Sequence, residues 1–304
     1  MSDFFSNGWS VFVAVVTVLS MLACLLLLAV AARRRVMAGD NTTGHTWDGD
    51  LTELNNPLPR WWMWLFIITV IFGAAYLALY PGAGSRAGAL GWTSVGEHEA
   101  EVRASREAMV PVYARYAAAS ADILIADPAA MGIGERLYVN HCAACHGSDA
   151  RGSKGFPNLT DADWLHGGDH ATIKKSITEG RVGMMPPMAA VVGDAQDIRN
   201  VAHYVLSLSD SPHDAIAAAS GQAKFATCAA CHGPQGQGNQ ALGAPNLTDT
   251  VWLHGWGEAA ITAMVTHGKV NAMPAHGQRL SPEQVHVLAA YVMGLSRSRT
   301  AATP

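Results

Sequence analysis

Charge is scarce in this chain: Asp, Glu, Lys and Arg make up 14% of its 304 residues, while 50% are apolar. An ordinary soluble domain is closer to a quarter charged, so the shortage points to part of the chain lying in lipid. Basic residues are not in excess either. Four of the 20 (Arg33, Arg34, Arg35 and Arg60) and five of the 24 acidic residues precede Pro81, leaving 16 against 19 beyond it. That balance argues against nucleic acid as a partner. Cysteine is limited to five residues; Cys24 stands alone in an apolar stretch and reads as a small buried hydrophobe, and the other four form two pairs. The marks of a cleavable signal peptide are missing too. The first apolar run has its basic cluster after it rather than before it, and no small-residue cleavage site is present.

Two apolar runs stand out, from Trp9 to Ala32 and from Trp61 to Tyr80. Each is long enough to cross a hydrocarbon core about 30 Å thick. Trp9 opens the first and Trp61, Trp62 and Tyr80 bracket the second, as interfacial aromatics do. Arg33, Arg34, Arg35 and Arg60 all fall in the short loop between the runs, which makes that loop cytoplasmic and both ends of the chain external. The expected segments are a first transmembrane helix within residues 1–35, a cytoplasmic loop at 36–60, a second transmembrane helix at 61–80 and an external lead-in at 81–125. The lead-in is charged and then Ala-rich, with a helix expected over 97–125.

The rest of the chain is one unit written twice. The segment from Pro157 to Pro186 returns 88 residues later from Pro245 to Pro274, with PNLTDADWLHG answered by PNLTDTVWLHG and GRVGMMP by GKVNAMP. Upstream, HCAACHG at 141 is answered by TCAACHG at 227. The duplication implies two domains, 126–209 and 216–297. Each is expected to run from a short helix into CAACH, then through a Gly-rich loop, a middle helix, a Met-Pro turn and a closing helix. The closing helices show apolar residues at helical spacing: Ile198, Val201, Ala202, Val205 and Leu208 in one copy, Val285, Leu288, Ala289, Val292 and Leu295 in the other. Ser209-Asp210-Ser211-Pro212 reads as the linker.

CxxC alone is ambiguous among a zinc half-site, a thiol redox pair and a haem site. Histidine directly after the second cysteine, in both copies, points to covalent c-type haem. Cys142 and Cys145, and again Cys228 and Cys231, are spaced to bond the two vinyl groups of one haem, with His146 and His232 as axial ligands. A zinc site would need four nitrogen or sulfur ligands, which both pairs could supply jointly, but it leaves the rest of the repeat unexplained. Met185 and Met273 occupy the same place in both copies, each followed by proline, and are the candidate sixth ligands. Met184 and Met188 have no counterparts and read as packing. His/Met ligation favours a raised reduction potential and leaves no open position at iron, which fits electron transfer and not catalysis at the metal. The backbone oxygens of Pro157 and Pro245 are candidates to hold the second ring nitrogen of His146 and His232. His45, His98, His166, His203, His254 and His276 read as structural first. A unit of this size with few large aliphatics also needs the macrocycle as part of its core.

The stretch HTWDGDLTELNNPLPRWW at 45–62, continued by YPGAG at 80 and GWTS at 91, together with the two haem motifs, resembles the CcoP/FixP family, the dihaem subunit of cbb3-type cytochrome c oxidases. The resemblance covers nearly the whole chain and is weakest over residues 1–40. It implies a mainly α protein with two transmembrane helices and two tandem class I cytochrome c-like domains, carrying two covalently bound haems c. One haem would have Cys142, Cys145, His146 and Met185 around it, and the other Cys228, Cys231, His232 and Met273, with the methionines assigned by repeat symmetry. The implied setting is the bacterial inner membrane, multi-pass, with the haem domains periplasmic. The implied partners are a catalytic subunit holding haem b and copper, a monohaem cytochrome c subunit and a soluble periplasmic cytochrome c as donor. The subunit has no catalytic site of its own and serves an oxygen-reducing, proton-pumping complex.

Rival expectations are a free-standing membrane-anchored dihaem carrier of the c4 kind, an electron-accepting subunit of a periplasmic alcohol or aldehyde dehydrogenase, and a haem-based gas sensor. Residues 45–62, with Trp47, Asp48, Asp50, Leu51 and Leu54, favour a docked subunit over a simple tether. Arg151 and Lys154 in one haem-side loop, against Gln235, Gln237 and Asn239 in the other, suggest different docking partners for the two edges.

Overall fold

The computed structural model describes residues 6–33 and 41–300, the side chains of 298–300 excepted. Arg34 and Arg35 of the expected loop, and residues 36–40, lie outside the described residues. The chain divides into two compact units between Ala108 and Met109.

In the first unit, α1 (Asn7–Ala31) and α2 (Arg60–Leu79) are long and apolar enough to cross a membrane. Their apolar side chains face outward: Leu26 is 66% and Phe72 69% exposed. Such a surface is stable only if lipid or protein covers it. Near the start of α1, the Ser10 hydroxyl accepts from the Ser85 N–H at 2.7 Å and lies 2.8 Å from the Ser85 hydroxyl. The beginning of α1 and the chain just past α2 are therefore at the same end of the pair. Between the helices, β1 (Thr42–Trp47) and β2 (Leu51–Leu54) form an antiparallel hairpin in which Trp47 faces Leu51. Its turn runs through Asp48 and Gly49, both at positive φ, which is the Asp-Gly chemistry that hairpin turns favour. Helix α3 spans Ser94–Ala114.

Among its described residues, the second unit is mainly helical, with loops between the helices and one two-stranded sheet. In chain order it contains α4 (Ala121–Ala126), α5 (Pro128–His141), the single turn α6 (Ala143–His146), α7 (His170–Glu179), β3 (Arg181–Met185), α8 (Ala189–Val192), α9 (Ala195–Leu208), α10 (Ala215–Gln222), a 3-10 turn at Lys224–Thr227, the single turn α11 (Ala229–His232), α12 (Glu258–His267), β4 (Lys269–Met273) and α13 (Pro282–Thr300). Aspartates cap many of the helix starts. Asp127 accepts from the Ala129 N–H at 2.8 Å, Asp169 from Thr172 at 3.0 Å, Asp194 from Gln196 at 2.8 Å and Asp214 from Ile216 at 2.8 Å, each satisfying a donor that the first turn leaves open.

The Met-Pro segments, expected as turns, begin as strands. β3 and β4 pair antiparallel in the register Arg181 with Met273, Gly183 with Asn271, and Met185 with Lys269. Gly183 and Asn271 are equivalent positions of the two repeats, so a local two-fold axis passes through the centre of this ladder. Other bonds cross between the repeats around it. The Met188 N–H donates to the Val265 carbonyl at 2.8 Å and the His276 N–H to the Ile177 carbonyl at 2.9 Å, again equivalent pairs.

Packing does not follow the repeat boundary. One core joins Leu137, Tyr138, Ile173 and Ile177 of the first repeat to Leu280, Val285, Leu288 and Val292 of the second. The other joins Val192, Ile198, Val201 and Val205 of the first to Phe225, Ile261 and Val265 of the second. The opening helix of each repeat thus lies on the closing helix of the other: α5 against α13, α10 against α9. A glycine sits at each crossing. A Cβ added at Gly134 would run into the Tyr291 side chain, and one at Gly221 into the backbone of Asn200 and Val201. A third cluster seats Tyr113, Tyr116 and Leu124 on Val287 and Ala290 of α13.

Alanine normally stabilises a helix interior over glycine by about 1 kcal/mol. Gly134→Ala is expected to do the reverse, lowering stability by about 1–3 kcal/mol through overpacking against Tyr291. Gly132→Ala, in the same helix with no heavy atom closer than 3.7 Å to the new Cβ, is expected to be neutral or stabilising. Thermal unfolding of the two variants side by side checks this.

Candidate functional site

Both CxxCH segments are single helical turns hung on a break. Cys142 ends α5, and its carbonyl accepts from the N–H groups of Cys145 at 3.1 Å and His146 at 3.0 Å; Cys228 receives Cys231 at 3.1 Å and His232 at 2.9 Å in the same way. This compact turn places both cysteines and the histidine within five consecutive residues. Cys142 and Cys228 are half-buried, Cys145 and Cys231 exposed. Tyr138, fully buried, braces the first turn by donating its hydroxyl to the Gly147 carbonyl at 2.7 Å.

The histidines are fixed as their sequence context predicts. His146 Nδ1 lies 3.0 Å from the Pro157 carbonyl oxygen, and His232 Nδ1 3.0 Å from that of Pro245. A carbonyl only accepts, so Nδ1 carries the proton in each ring and Nε2 keeps its lone pair for a metal. Burial, and then the neighbouring Cys145, pushes the Cys142 thiol up to about 11. Cys228 is raised as well, by burial first and by Cys231, against a lowering hydrogen bond from Thr227. Both shifts favour the protonated thiol in the folded chain. Among the described residues, no three His, Cys, Asp or Glu side chains converge as a metal site would require.

The methionines separate cleanly. Met184 is 73% exposed on β3, while Met185, the next residue of the strand, packs into a core. Met185 and Met188 join the core that contains Cys228, Ala229, Leu247 and Trp252. Met273 joins the core that contains Cys142, Ala143, Leu159 and Trp164. Repeat symmetry pairs Met185 with Cys142 and Met273 with Cys228. The structure brings together the opposite combinations.

Among the described residues, the buried side-chain atoms Trp252 Nε1, in the second core, Thr262 Oγ1 and His276 Nδ1 have no hydrogen-bond partner. Burial first, and then His141, Arg279 and His146, lower the His276 pKa, which sets it near the first CxxCH turn. Unpaired buried polar groups cost about 1–3 kcal/mol each, and the carboxylates of a haem are acceptors that would relieve them. The residues present therefore fit a haem at both turns. Of the histidines outside the CxxCH turns, His203 accepts from the Asp214 N–H at 3.1 Å and approaches Glu258 at 3.3 Å, His254 lies 2.7 Å from the Asn271 side chain, and His45 lies 3.4 Å from Glu53. His98 sits in α3 and His166 against Gly243 of the second repeat. In the loop after the first CxxCH turn, Arg151 forms an exposed pair with Asp149 at 3.7 Å and Lys154 reaches toward Gly255.

Known proteins resolve what this pair of sites belongs to. A family model described as the N-terminal domain of cytochrome oxidase-cbb3, FixP, matches residues 39–87, and one described as cytochrome c oxidase, cbb3-type, subunit III, matches 129–205 and 217–292. A cbb3-type cytochrome c oxidase subunit CcoP of Rubrivivax gelatinosus is 61% identical over 99% of both chains. The chain belongs to the CcoP/FixP family. A FixP subunit of Azorhizobium caulinodans is 41% identical over 84% of this chain and 92% of its own, and a CcoP of Cereibacter sphaeroides 37% over 84% and 94%. As a CcoP/FixP protein the chain is an electron-transferring cytochrome c subunit of a cbb3-type oxidase, and oxygen chemistry and proton pumping belong to other subunits.

One acid near the site departs from its ordinary range. Burial, followed by Asp249 and Asp161, pushes the Asp163 carboxyl up from 3.8 to about 6. A carboxyl raised on folding stabilises below its unfolded pKa and loses that contribution as pH rises through the folded value. Asp163→Asn is therefore expected to match the parent in thermal stability near pH 4 and to exceed it above pH 6; equal stability at both pH values would contradict this assignment.

Proposed function

We propose that the chain binds two haems c, one at Cys142, Cys145 and His146 and one at Cys228, Cys231 and His232, and relays electrons through them. The relay would run from a soluble periplasmic cytochrome c toward a monohaem cytochrome subunit and a haem b/copper catalytic subunit. The observation that carries this is the duplicated turn, in which two thiols precede a histidine whose Nδ1 is tied to a carbonyl, leaving Nε2 for a metal. Bound there, a haem supplies one-electron chemistry at iron. The protein's part is to orient the imidazole, to present a thioether sulfur from Met185 or Met273 and to keep water from the buried face. Complete His/Met sets leave no position for oxygen, which is the physical ground for a carrier rather than a sensor or an oxidase in its own right.

Both α1 and α2 act as membrane spans on this reading, with residues 41–59 on the cytoplasmic side and both CxxCH turns in the periplasm. Arg33 and Arg60, at the loop ends of the two helices, support that orientation. The serine contact between the outer ends of α1 and α2 supports an antiparallel pair. The hairpin β1–β2 exposes Trp47 at 65%, Leu51 at 62% and Leu54 at 56%, a surface that supports docking on a neighbouring subunit.

The test is purification through a tag on this subunit in mild detergent, followed by haem staining, visible spectra and oxygen uptake on reduced cytochrome c from one fraction. Copurifying b-type haem, copper and oxidase activity is the expected result. Emergence alone with only c-type bands would favour a free-standing carrier. Replacing Cys142 and Cys145 by Ser is expected to remove half of the covalent haem by pyridine haemochrome assay and to destabilise the unit, since the macrocycle completes a thin core.

A further inference from the structure

We infer that Arg181 and Lys269, with His166 and His254 beside them, form one carboxylate-binding cluster between the repeats, and that it holds propionate groups of the haems. The inference rests on the proposal that each CxxCH turn carries a haem. It goes further in naming the side chains that neutralise the cofactors' own charge.

The cluster is written twice in the chain. Arg181 and Lys269 are equivalent in the two repeats, as are His166 and His254, each pair 88 residues apart. Side chains alternate along the ladder, so Arg181 and Lys269 share one face with Asn271, while Val182 and Met184 occupy the exposed face. The two cations stand at diagonal corners of that face, roughly 13 Å apart along the strands. His254 Nε2 lies 2.7 Å from Asn271 Nδ2, at the centre of the same face. The Lys154 amine reaches Gly255, next to His254, and His166 lies against Gly243 of the second repeat.

Three observations point to an anion here. The first is the setting of Arg181, which is half-buried. Its Nε donates to the Ser176 hydroxyl at 2.9 Å, and that hydroxyl donates to the Thr172 carbonyl at 2.9 Å, so α7 holds the guanidinium by one nitrogen. Its terminal nitrogens, without a partner among the described residues, present the planar fork that matches a carboxylate. The second is charge without a counterpart. Among the described residues the carboxylate ion pairs involve other cations than Lys154, Arg181 and Lys269. Both histidines are lowered, His166 by burial and then Arg181, against a raising hydrogen bond to the Gln240 backbone, and His254 by burial and then Lys269 and Lys154. Like charges gathered at half-buried positions cost free energy until an anion joins them. The third is that the acids of the neighbouring loops do not answer this charge. Asp163 is raised by burial, Asp249 and Asp161, with no cation opposing them. Each haem brings two carboxylates, the charge that the cluster lacks. A cation beside a propionate offsets negative charge that favours ferric iron, so the cluster raises the reduction potential.

The experiment uses the full chain in its purified complex. Arg181→Gln and Lys269→Gln are compared with the parent by redox titration of the c-type haems and by the propionate bending bands in resonance Raman spectra. Arg181→Gln is expected to shift a propionate band and to lower the midpoint potential of at least one c-type haem. The expected size is on the order of tenfold in the reduction equilibrium, about 59 mV for one electron. Lys269→Gln is expected to act in the same direction but less, because its exposed amine is screened. Arg181→Lys, which keeps the charge and loses the fork, is expected to recover most of the potential but not the band. Unchanged potentials and bands in either glutamine variant would overturn the inference. A change confined to the salt dependence of cytochrome c oxidation would also overturn it, since the cluster would then serve an acidic protein surface. If Arg181→Gln does not assemble, a cryo-EM map of the parent complex decides: propionate oxygens within hydrogen-bond reach of Arg181 support the inference, and propionates directed away from it overturn it. A parent preparation lacking covalent haem by pyridine haemochrome would defeat the haem proposal itself, a different failure from haems present with Arg181 unengaged.

Discussion

The pairing of β3 with β4 is the constraint on which the second unit depends. Five residues from each repeat lie side by side about a two-fold axis at Gly183 and Asn271, and past that ladder each chain continues into territory founded by the other. Without the ladder, α9 and α13 would each be free to fold back on the opening helix of its own repeat. With it, the crossing is fixed, and the glycines at the helix contacts, Gly134 and Gly221, meet partners from the opposite copy. Backbone hydrogen bonds supply the direction and apolar burial supplies the driving force.

The sites inherit their geometry from this arrangement. Local chain builds the CxxCH turns, and the carbonyls of Pro157 and Pro245, a short loop away, lock the imidazoles. The other half of each pocket arrives from far along the sequence. Local precision at the histidine and the long-range origin of the residues packed beside it are thus separate problems in this fold, solved by a tight turn and a shared ladder.

Much of this is legible in the sequence. Uninterrupted apolar runs, the repeat, the haem motifs, the closing-helix spacing and even the carbonyl partners of His146 and His232 follow from residue identity and short-range geometry. The hairpin at 42–54 is absent from the sequence-based expectations although its signal is present, an Asp-Gly turn between runs of Thr, Trp and Leu. The crossing of the repeats has no such signal. Duplication makes the two closing segments nearly interchangeable, with the same apolar spacing and the same methionine-proline start, so no pattern in the residues says which core each one enters. Only the pairing of two strands, set by the chain in three dimensions, decides it.

The crossing also orders events in time. The core around Cys228 draws on residues 192–265, a nearly continuous span, whereas the core around Cys142 joins residues 137–177 to 280–293. One core is nested inside the other. For a chain emerging N-terminus first, the inner core has all its parts before the outer one can close, and the first repeat must wait, with its thiols and histidine in place, for the last helix to arrive. The motif that appears first in the sequence becomes the last to be finished.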